Sequence, residues 1–138
     1  MDEGVRGRNL AAVRKLCEQW HVMTLDEYRD CMTPDCLYIN IPSPDRRRIG
    51  PDEAHQALSP WRDRCRITLE VIHILGDESV VLTERLERFV AFDGSGPVID
   101  LYVMGAFEMR DGKIASWRDY FEKSQSPVGQ FPPATQPA

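Results

Sequence analysis

The segment from Gly105 to Glu122 reads GAFEMRDGKIASWRDYFE. Its two apolar runs flank Asp111-Gly112, a pair typical of a tight hairpin turn, so the segment predicts two antiparallel strands. Side chains alternate between the faces of a strand, and Asp119 therefore shares a face with Trp117 and Phe121. A carboxylate among large apolar side chains is costly unless it is paired or used in chemistry, which makes Asp119 the first candidate functional residue.

The region before this hairpin continues the same pattern. Segments 66–75, 79–92 and 98–109 are rich in β-branched and aromatic residues, and turns containing glycine or aspartate separate them. Together with segment 113–121, they predict an antiparallel meander.

The first 60 residues have a different character. Apolar residues recur at helical spacing, Thr24 and Glu27 match a capping box, and Pro34 ends the apolar pattern that includes Met32. The predicted helices cover residues 9–21, 24–33 and 50–58, and a short strand covers 37–41. Helices followed by strands predict an α+β domain in which the helices cover one face of a curved sheet.

Length, composition and net charge limit the number of domains and the classes of partner. The chain has 138 residues, of which 42% are hydrophobic, so it predicts one domain, here residues 1–123, followed by a Pro-rich and mobile tail, 124–138. The net charge of −5 argues against a nucleic-acid or anionic-membrane partner. Because no apolar run approaches the roughly 20 residues of a membrane span and no signal-peptide core is present, we expect a cytoplasmic protein.

Cysteine and histidine spacing gives no metal signature. The four cysteines form no Cys-x-x-Cys pair, and the three histidines are scattered. We therefore expect buried, reduced thiols and no metal site.

Two strands carry polar residues whose role the pattern leaves open. Tyr38 and Asn40 share a face of the short strand, where they would either bind a water or ligand oxygen or form the outer face of an edge strand. In segment 79–92, Arg85 and Glu87 share a face, which would be either a solvated, salt-bridged surface or part of a pocket. The opposite face is at least as apolar, so periodicity does not decide between them. The first of these faces contains Val81, Thr83, Arg85, Glu87 and Phe89, and the second contains Leu82, Leu86 and Val90.

Taken together, these places resemble the limonene-1,2-epoxide hydrolase family. The segments that carry the resemblance are LYINIP at 37–42, TERLE at 83–87, MGAFE at 104–108, and DGKI at 111–114 running into WRDYF at 117–121. It extends from the first helix to about Lys123, and it is more specific than the likeness to the wider group of nuclear transport factor 2, ketosteroid isomerase and SnoaL-like polyketide cyclases. It implies a cone-shaped fold, with N-terminal helices on a curved, mixed, mainly antiparallel sheet. It also implies a homodimer that pairs through the outer sheet face, where Leu82, Leu86 and Val90 would supply apolar contact.

The resemblance also implies a chemistry. Members hydrolyse an epoxide in one step, without a metal, a cofactor or a covalent intermediate. By resemblance, Asp119 is the base that activates water with the help of Tyr38 and Asn40, and Arg85 bridges two carboxylates. The second carboxylate, which protonates the epoxide oxygen, is an aspartate in the family and Glu87 here. The additional methylene moves the carboxyl by roughly 1.3 to 1.5 Å if nothing compensates.

Physical chemistry supports the same constellation. Epoxide opening needs a proton for the leaving oxygen and a base for the attacking water, so one carboxyl must be neutral while another is charged. Burial and a shared arginine can separate a pair of carboxyls in this way. Candidate substrate-binding residues are Trp117, Phe121, Phe89 and Val81, although such side chains are more often plain core than ligand contacts.

These inferences predict hydrolysis of a hydrophobic, terpenoid- or polyketide-like epoxide to a vicinal diol. Two alternatives remain at this point. The first is an isomerase or an epoxide-opening cyclase of the same fold, and the second is a non-catalytic module that binds a small molecule.

Overall fold

Four long strands in the second half of the chain form most of the sheet in the computed structural model, which describes residues 3–127. Before them, the chain forms four helices and two strands. The elements are α1 (Glu3–Gln19), α2 (Leu25–Cys31), β1 (Met32–Asn40), β2 (Arg48–Ile49), α3 (Gly50–Ala57), α4 (Ser59–Arg64), β3 (Cys65–Gly76), β4 (Val80–Ala91), β5 (Ile99–Arg110), β6 (Lys113–Tyr120) and a 3-10 turn (Lys123–Gln125).

The six strands form one mixed sheet in the order β2-β1-β6-β5-β4-β3. Strands β3 to β6 are an antiparallel meander, whereas β1 runs parallel to β6 and antiparallel to β2. Register shifts within β1, β3 and β5 add local twist. The predicted α+β class, with helices on a mixed, mainly antiparallel sheet, is confirmed.

The core lies between the helices and one face of the sheet. Helix α1 buries Val13, Leu16 and Cys17 against it. The Asn9 amide fixes this helix across the end of the sheet by donating to the Asp77 carbonyl oxygen over 3.1 Å. The inner face of the sheet is therefore the place where polar side chains can meet out of bulk solvent.

Some element boundaries differ from the sequence prediction. Strand β2 and helix α4 were not predicted. Strand β2 has only two residues, and α4 begins with Ser59 and Pro60, directly after the predicted end of the third helix at residue 58. Met32 was predicted on the second helix, but its extended backbone (φ −124°, ψ 150°) starts β1. Because proline disfavours helical conformation in the residue before it, Thr33 cannot easily extend the helix toward Pro34. The predicted capping box of Thr24 and Glu27 is present.

The chain packs beyond the predicted end of the domain at Lys123. Ser126 and Pro127 are buried against the cavity described below, so this part of the predicted tail belongs to the fold. Residues 128–138 lie outside the described residues, and the mobility of that segment stays a prediction. All four cysteines are free and buried, as expected. Within the described range, no helix is both long and apolar enough to cross a membrane.

Candidate active site

The sheet register brings the candidate carboxylates together. Asp119 lies in β6, in register with Asn40 of β1 on one side and with Gly105 of β5 on the other. Strand β4 follows β5 in the sheet, and its inward positions include Arg85 and Glu87. These two residues are only 1% and 6% exposed, which excludes a solvated face and places them on the inner side with Asp119.

Arg85 is the electrostatic centre of this group. Its Nη2 atom lies 2.8 Å from Oδ1 of Asp119 and 3.6 Å from Oε2 of Glu87. Its Nη1 atom donates to Sγ of Cys17 over 3.3 Å. The Nη2–Asp119 contact lacks the alignment of a hydrogen bond, so these two atoms attract chiefly through charge. One guanidinium thus serves two carboxyls and is closer to Asp119.

A residue of the helical layer also contacts the carboxyl of Glu87. The Trp20 indole, at the end of α1, donates from Nε1 to Oε2 of Glu87 over 3.3 Å. The longer side chain therefore reaches an indole donor while its carboxyl remains near Arg85. Trp20 falls within the predicted helix 9–21, and the sequence pattern assigns it no role, because an indole among the apolar residues of a helix gives no sign that its N–H faces an acid.

The environment separates the protonation of the two acids. Burial raises the pKa of Glu87 to about 7, with Arg85 opposing the shift and the charge of Asp119 adding to it. Burial also raises the pKa of Asp119, again against the attraction of Arg85. Because Arg85 lies closer to Asp119, we assign the charge of the pair to Asp119 and the proton to Glu87.

Tyr38 and Asn40 lie beside this pair. The Tyr38 ring stacks on Trp117 with centroids 4.0 Å apart, which fixes the phenol at the cavity surface. Burial raises the pKa of Tyr38 well above its usual value, and the charges of Asp119 and Glu87 act in the same direction. The phenol is thus a neutral group that can donate and accept hydrogen bonds near the carboxylates.

A cavity of about 360 Å³ opens over these groups. Asp119, Glu87, Tyr38 and Asn40 all line it, and Arg85 lies behind the carboxylates. Its apolar wall comprises Trp20, Leu58, Trp61, Phe89, Leu101, Val103 and Phe121. The volume lies in the lower part of the range of ~300–1,000 Å³ that small-molecule sites occupy.

The four candidate substrate-binding residues lie at different depths. Phe89 and Phe121 line the cavity, whereas Trp117 and Val81 are absent from its lining. Val81 is fully buried in the core, and Trp117 packs between Tyr38 and Phe107. Both residues face inward, as the alternation of the strands requires, and both are buried in the core.

The donor set of the site favours acid–base chemistry over metal binding. Among residues 3–127, the structure contains no group of three or more histidine, cysteine and acidic side chains arranged to hold a metal ion. The paired acids and their arginine are instead suited to moving protons at a ligand in the cavity.

Comparisons with known proteins point to one family. The family model described as limonene-1,2-epoxide hydrolase catalytic domain matches residues 8–126. Epoxide hydrolase EphG of Mycobacterium tuberculosis (strain ATCC 25618 / H37Rv) is 43% identical over 60 residues, a match that covers 41% of this chain and 38% of that protein. The matched part is thus well under half the length of that relative.

Solved structures share the fold. An M. tuberculosis LEH-like epoxide hydrolase superposes with a TM-score of 0.73 at 24% identity, covering 91% of this chain and 90% of that one. A SnoaL-like polyketide cyclase from Jannaschia sp. CCS1 gives a TM-score of 0.76 at 17% identity, covering 88% and 90%. At these identities, the superpositions establish the fold, which is the one implied by the sequence resemblance.

Proposed function

Because this chain belongs to the limonene-1,2-epoxide hydrolase family, we propose that it hydrolyses a hydrophobic, terpenoid- or polyketide-like epoxide to a vicinal diol. One observation carries the proposal beyond family membership. Arg85 lies between two buried carboxyls that both face an apolar cavity, and it is closer to Asp119 than to Glu87.

This arrangement divides the acid and base roles between the two carboxyls. Asp119, paired with Arg85, is the charged member and accepts a proton from a water molecule in the cavity. Tyr38 and Asn40 line the cavity next to Asp119 and orient that water through hydrogen bonds. The water oxygen then bonds to one epoxide carbon.

The ring oxygen needs a proton at the same moment. Glu87, whose pKa burial raises to about 7, is protonated in about half of the molecules at neutral pH, and this form donates the proton as the carbon–oxygen bond breaks. After the step, Asp119 is protonated and Glu87 is charged, so one proton must return from Asp119 to Glu87 before the next turnover. Arg85 compensates one negative charge throughout, because its attraction extends to whichever carboxyl is ionised.

Labelled water tests the reaction. Incubation of the protein with a panel of hydrophobic epoxides in ¹⁸O-water is expected to give a diol with one labelled oxygen. Asp119→Asn is expected to lower the rate about a thousandfold, within the range for loss of a general base. Asp100→Asn is the matched control, because Asp100 is an exposed aspartate that pairs with Arg88 on the other face of the sheet. If no epoxide is turned over, or if both variants keep full activity, the proposal is wrong.

A second candidate reaction is an epoxide-opening cyclisation or an isomerisation. It is favoured by Glu87, which departs from the aspartate of the family and places its carboxyl differently. With an internal hydroxyl as the nucleophile, Asp119 would accept the hydroxyl proton and Glu87 would protonate the ring oxygen. The product would contain no solvent oxygen, so the absence of ¹⁸O in a product formed by the wild type identifies this reaction.

A further inference from the structure

Four cations line the cavity in addition to the two acids. They are Arg46, Arg48, Arg64 and Lys123, which we call the cationic rim. The acids that line the cavity are Glu87 and Asp119, next to Arg85. Although the chain has a net charge of −5, these four cationic side chains lie around one cavity.

The position of Arg48 is set by the sheet. In strand β2 it is in register with Tyr38 of β1. Directly opposed residues on antiparallel strands project from the same face, so Arg48 projects on the face of Tyr38 and lies half-buried at the cavity. Arg64 reaches the cavity from the end of α4, with its guanidinium 5.7 Å from the centroid of the Trp61 ring.

The rim arginines of the β1–β2 region differ from the arginines on the outer surface. Arg29, Arg88 and Arg118 each pair with a carboxylate of a neighbouring element. Among the side chains described, residues 4–127, no carboxylate pairs with Arg46, Arg48 or Lys123. Their charges are thus available to a ligand at the cavity.

The cavity therefore has two different polar regions, the acids and the cationic rim, together with an apolar wall. Phe89, Leu101 and Val103 provide apolar surface next to the acids. A neutral hydrocarbon epoxide would make no use of the charges of Arg46, Arg48 and Lys123. A ligand with an apolar skeleton and an anionic head group would use the whole cavity, with its head group at the rim cations and its uncharged skeleton toward the charged Asp119.

We propose that the cavity binds an amphipathic epoxide whose apolar skeleton ends in an anionic head group, a carboxylate or a phosphate monoester, held by the cationic rim. Both head groups accept paired hydrogen bonds from a guanidinium. The choice of an epoxide rests on the proposed function, whereas the recognition of the head group does not. The rim thereby orients the ligand, because only the uncharged end can approach the acids.

Unreactive ligands test the rim without any turnover. Isothermal titration calorimetry compares decanoate, decyl phosphate and decanol, which share a ten-carbon chain. We expect the wild type to bind at least one of the anions about tenfold more tightly than decanol, and the tighter anion identifies the head group. This preference is expected to shrink as NaCl is raised, because salt screens exposed charges.

Two variants test whether the rim causes the preference for an anion over decanol. Arg48→Gln is expected to remove most of the preference for the anion while leaving the affinity for decanol unchanged, which also shows that the cavity is intact. Arg47→Gln is the matched control, because Arg47 is exposed, adjacent in sequence and absent from the cavity lining. Equal binding of decanol and both anions by the wild type, or equal losses in the two variants, overturns the proposal.

Turnover separates the failure of this inference from the failure of the proposed function. The kcat/KM values of an unsaturated ten-carbon acid epoxide and of its methyl ester are compared in the wild type and in Arg48→Gln. We expect the variant to lose about tenfold for the acid alone. Anion-selective binding with no hydrolysis of any epoxide contradicts the hydrolase proposal only. Hydrolysis of the ester with no selectivity for the anions contradicts the rim proposal only.

Discussion

Glu87 receives its position from groups on two different elements. Arg85, two residues away on the same strand, attracts its carboxylate, and Trp20 at the end of α1 donates a hydrogen bond to it. The glutamate side chain thus reaches the indole while its carboxyl stays 3.6 Å from Nη2 of Arg85. Because burial is the largest influence on Glu87 and raises its pKa, the side chain is suited to donate a proton rather than to remain charged.

The raised pKa of Glu87 makes stability depend on pH. Its pKa is about 7 in the folded chain against 4.5 for a free glutamate, so between these values the folded state holds the proton and the unfolded state does not. The free energy of unfolding should therefore fall as pH rises through this window, by at most about 3 kcal/mol from this group. Urea titrations at pH 5 and pH 8 are expected to show this fall in the wild type and a smaller one in Glu87→Gln.

The control for that measurement is Glu70→Gln, which replaces an exposed glutamate of β3. It should keep the pH dependence of the wild type. An equal loss of stability between pH 5 and pH 8 in Glu87→Gln and the wild type would show that Glu87 is not a buried acid with a raised pKa.

Trp20 is a positioning residue whose effect is visible in the pH profile. Its hydrogen bond favours the charged carboxylate and so lowers the pKa of Glu87, against the effect of burial. Trp20→Phe should raise that pKa further. Because hydrolysis needs protonated Glu87, its rate should fall as pH rises through this pKa, and the alkaline limb should move to higher pH in the variant.

Trp61→Phe serves as the comparison for Trp20→Phe. Trp61 also lines the cavity, but its described contacts are with Phe89 and Arg64 rather than with an acid. It should change KM while leaving the alkaline limb in place. A limb that moves equally in both variants would mean that cavity shape, and not the indole hydrogen bond, sets it.

At the scale of elements, the missing side chain of Gly105 in β5 leaves room for the side chain of Asp119 in the neighbouring strand β6. A Cβ atom at this position would lie 2.7 Å from Oγ1 of Thr83, 2.8 Å from the Phe107 ring and 3.1 Å from Oδ1 of Asp119. Gly105→Ala should therefore cost about 1–3 kcal/mol of stability through overpacking. By displacing Asp119, it should also lower kcat by up to about a hundredfold.

Gly7→Ala is the matched substitution for this test. Gly7 lies in α1, and a Cβ there would meet no atom within 4 Å. Alanine at this helical position should stabilise the protein by roughly 0.5–1 kcal/mol and leave kcat unchanged. Urea unfolding and steady-state kinetics of both variants check the two expectations. A Gly105→Ala variant with wild-type stability and kcat would contradict the close packing of β5 on Asp119.

Some elements could be predicted from the sequence and others could not, for physical reasons. The strands of the meander were predicted to within one or two residues, because aspartate and glycine turns separate long β-rich runs. Strand β2 has only two residues, which is too few to show an alternation of apolar and polar side chains. The inward face of β4 was undecidable locally, because both faces carry apolar side chains and only packing against α1 selects one.

The same distinction applies to the site. Asp119 was singled out because a carboxylate in an aromatic run is conspicuous. Arg85 and Glu87 were singled out because they share a face of one strand, and only the resemblance suggested roles for them. The rim cation Arg48 was not singled out, because its register opposite Tyr38 depends on a pairing of distant segments. Trp117 was proposed as a pocket residue because strand alternation shows which face of the sheet a side chain is on. Alternation does not show how deeply the side chain is buried.

At the scale of the whole molecule, the sheet has two unlike faces. The inner face carries the site, whereas the outer face exposes Leu82, Tyr102, Met104 and Tyr120, each between 44% and 58% exposed. Met104 is in register with Tyr120, and Tyr102 is in register with the half-buried Leu86, so these side chains are neighbours. An exposed apolar cluster of this kind is typical of a surface that another protein covers.

The cluster supports the proposal of a homodimer formed through the outer face, as the family resemblance implies. Sedimentation velocity at micromolar concentration is expected to give a dimer for the wild type and a monomer for Met104→Lys, because the lysine charge would be buried without a partner in the interface. Thr68→Lys, on an exposed position of β3 outside the cluster, should remain dimeric. Since Met104 projects away from the cavity, the monomeric variant should keep most of its epoxide hydrolysis, and a wild type that sediments as a monomer would contradict the proposed pairing.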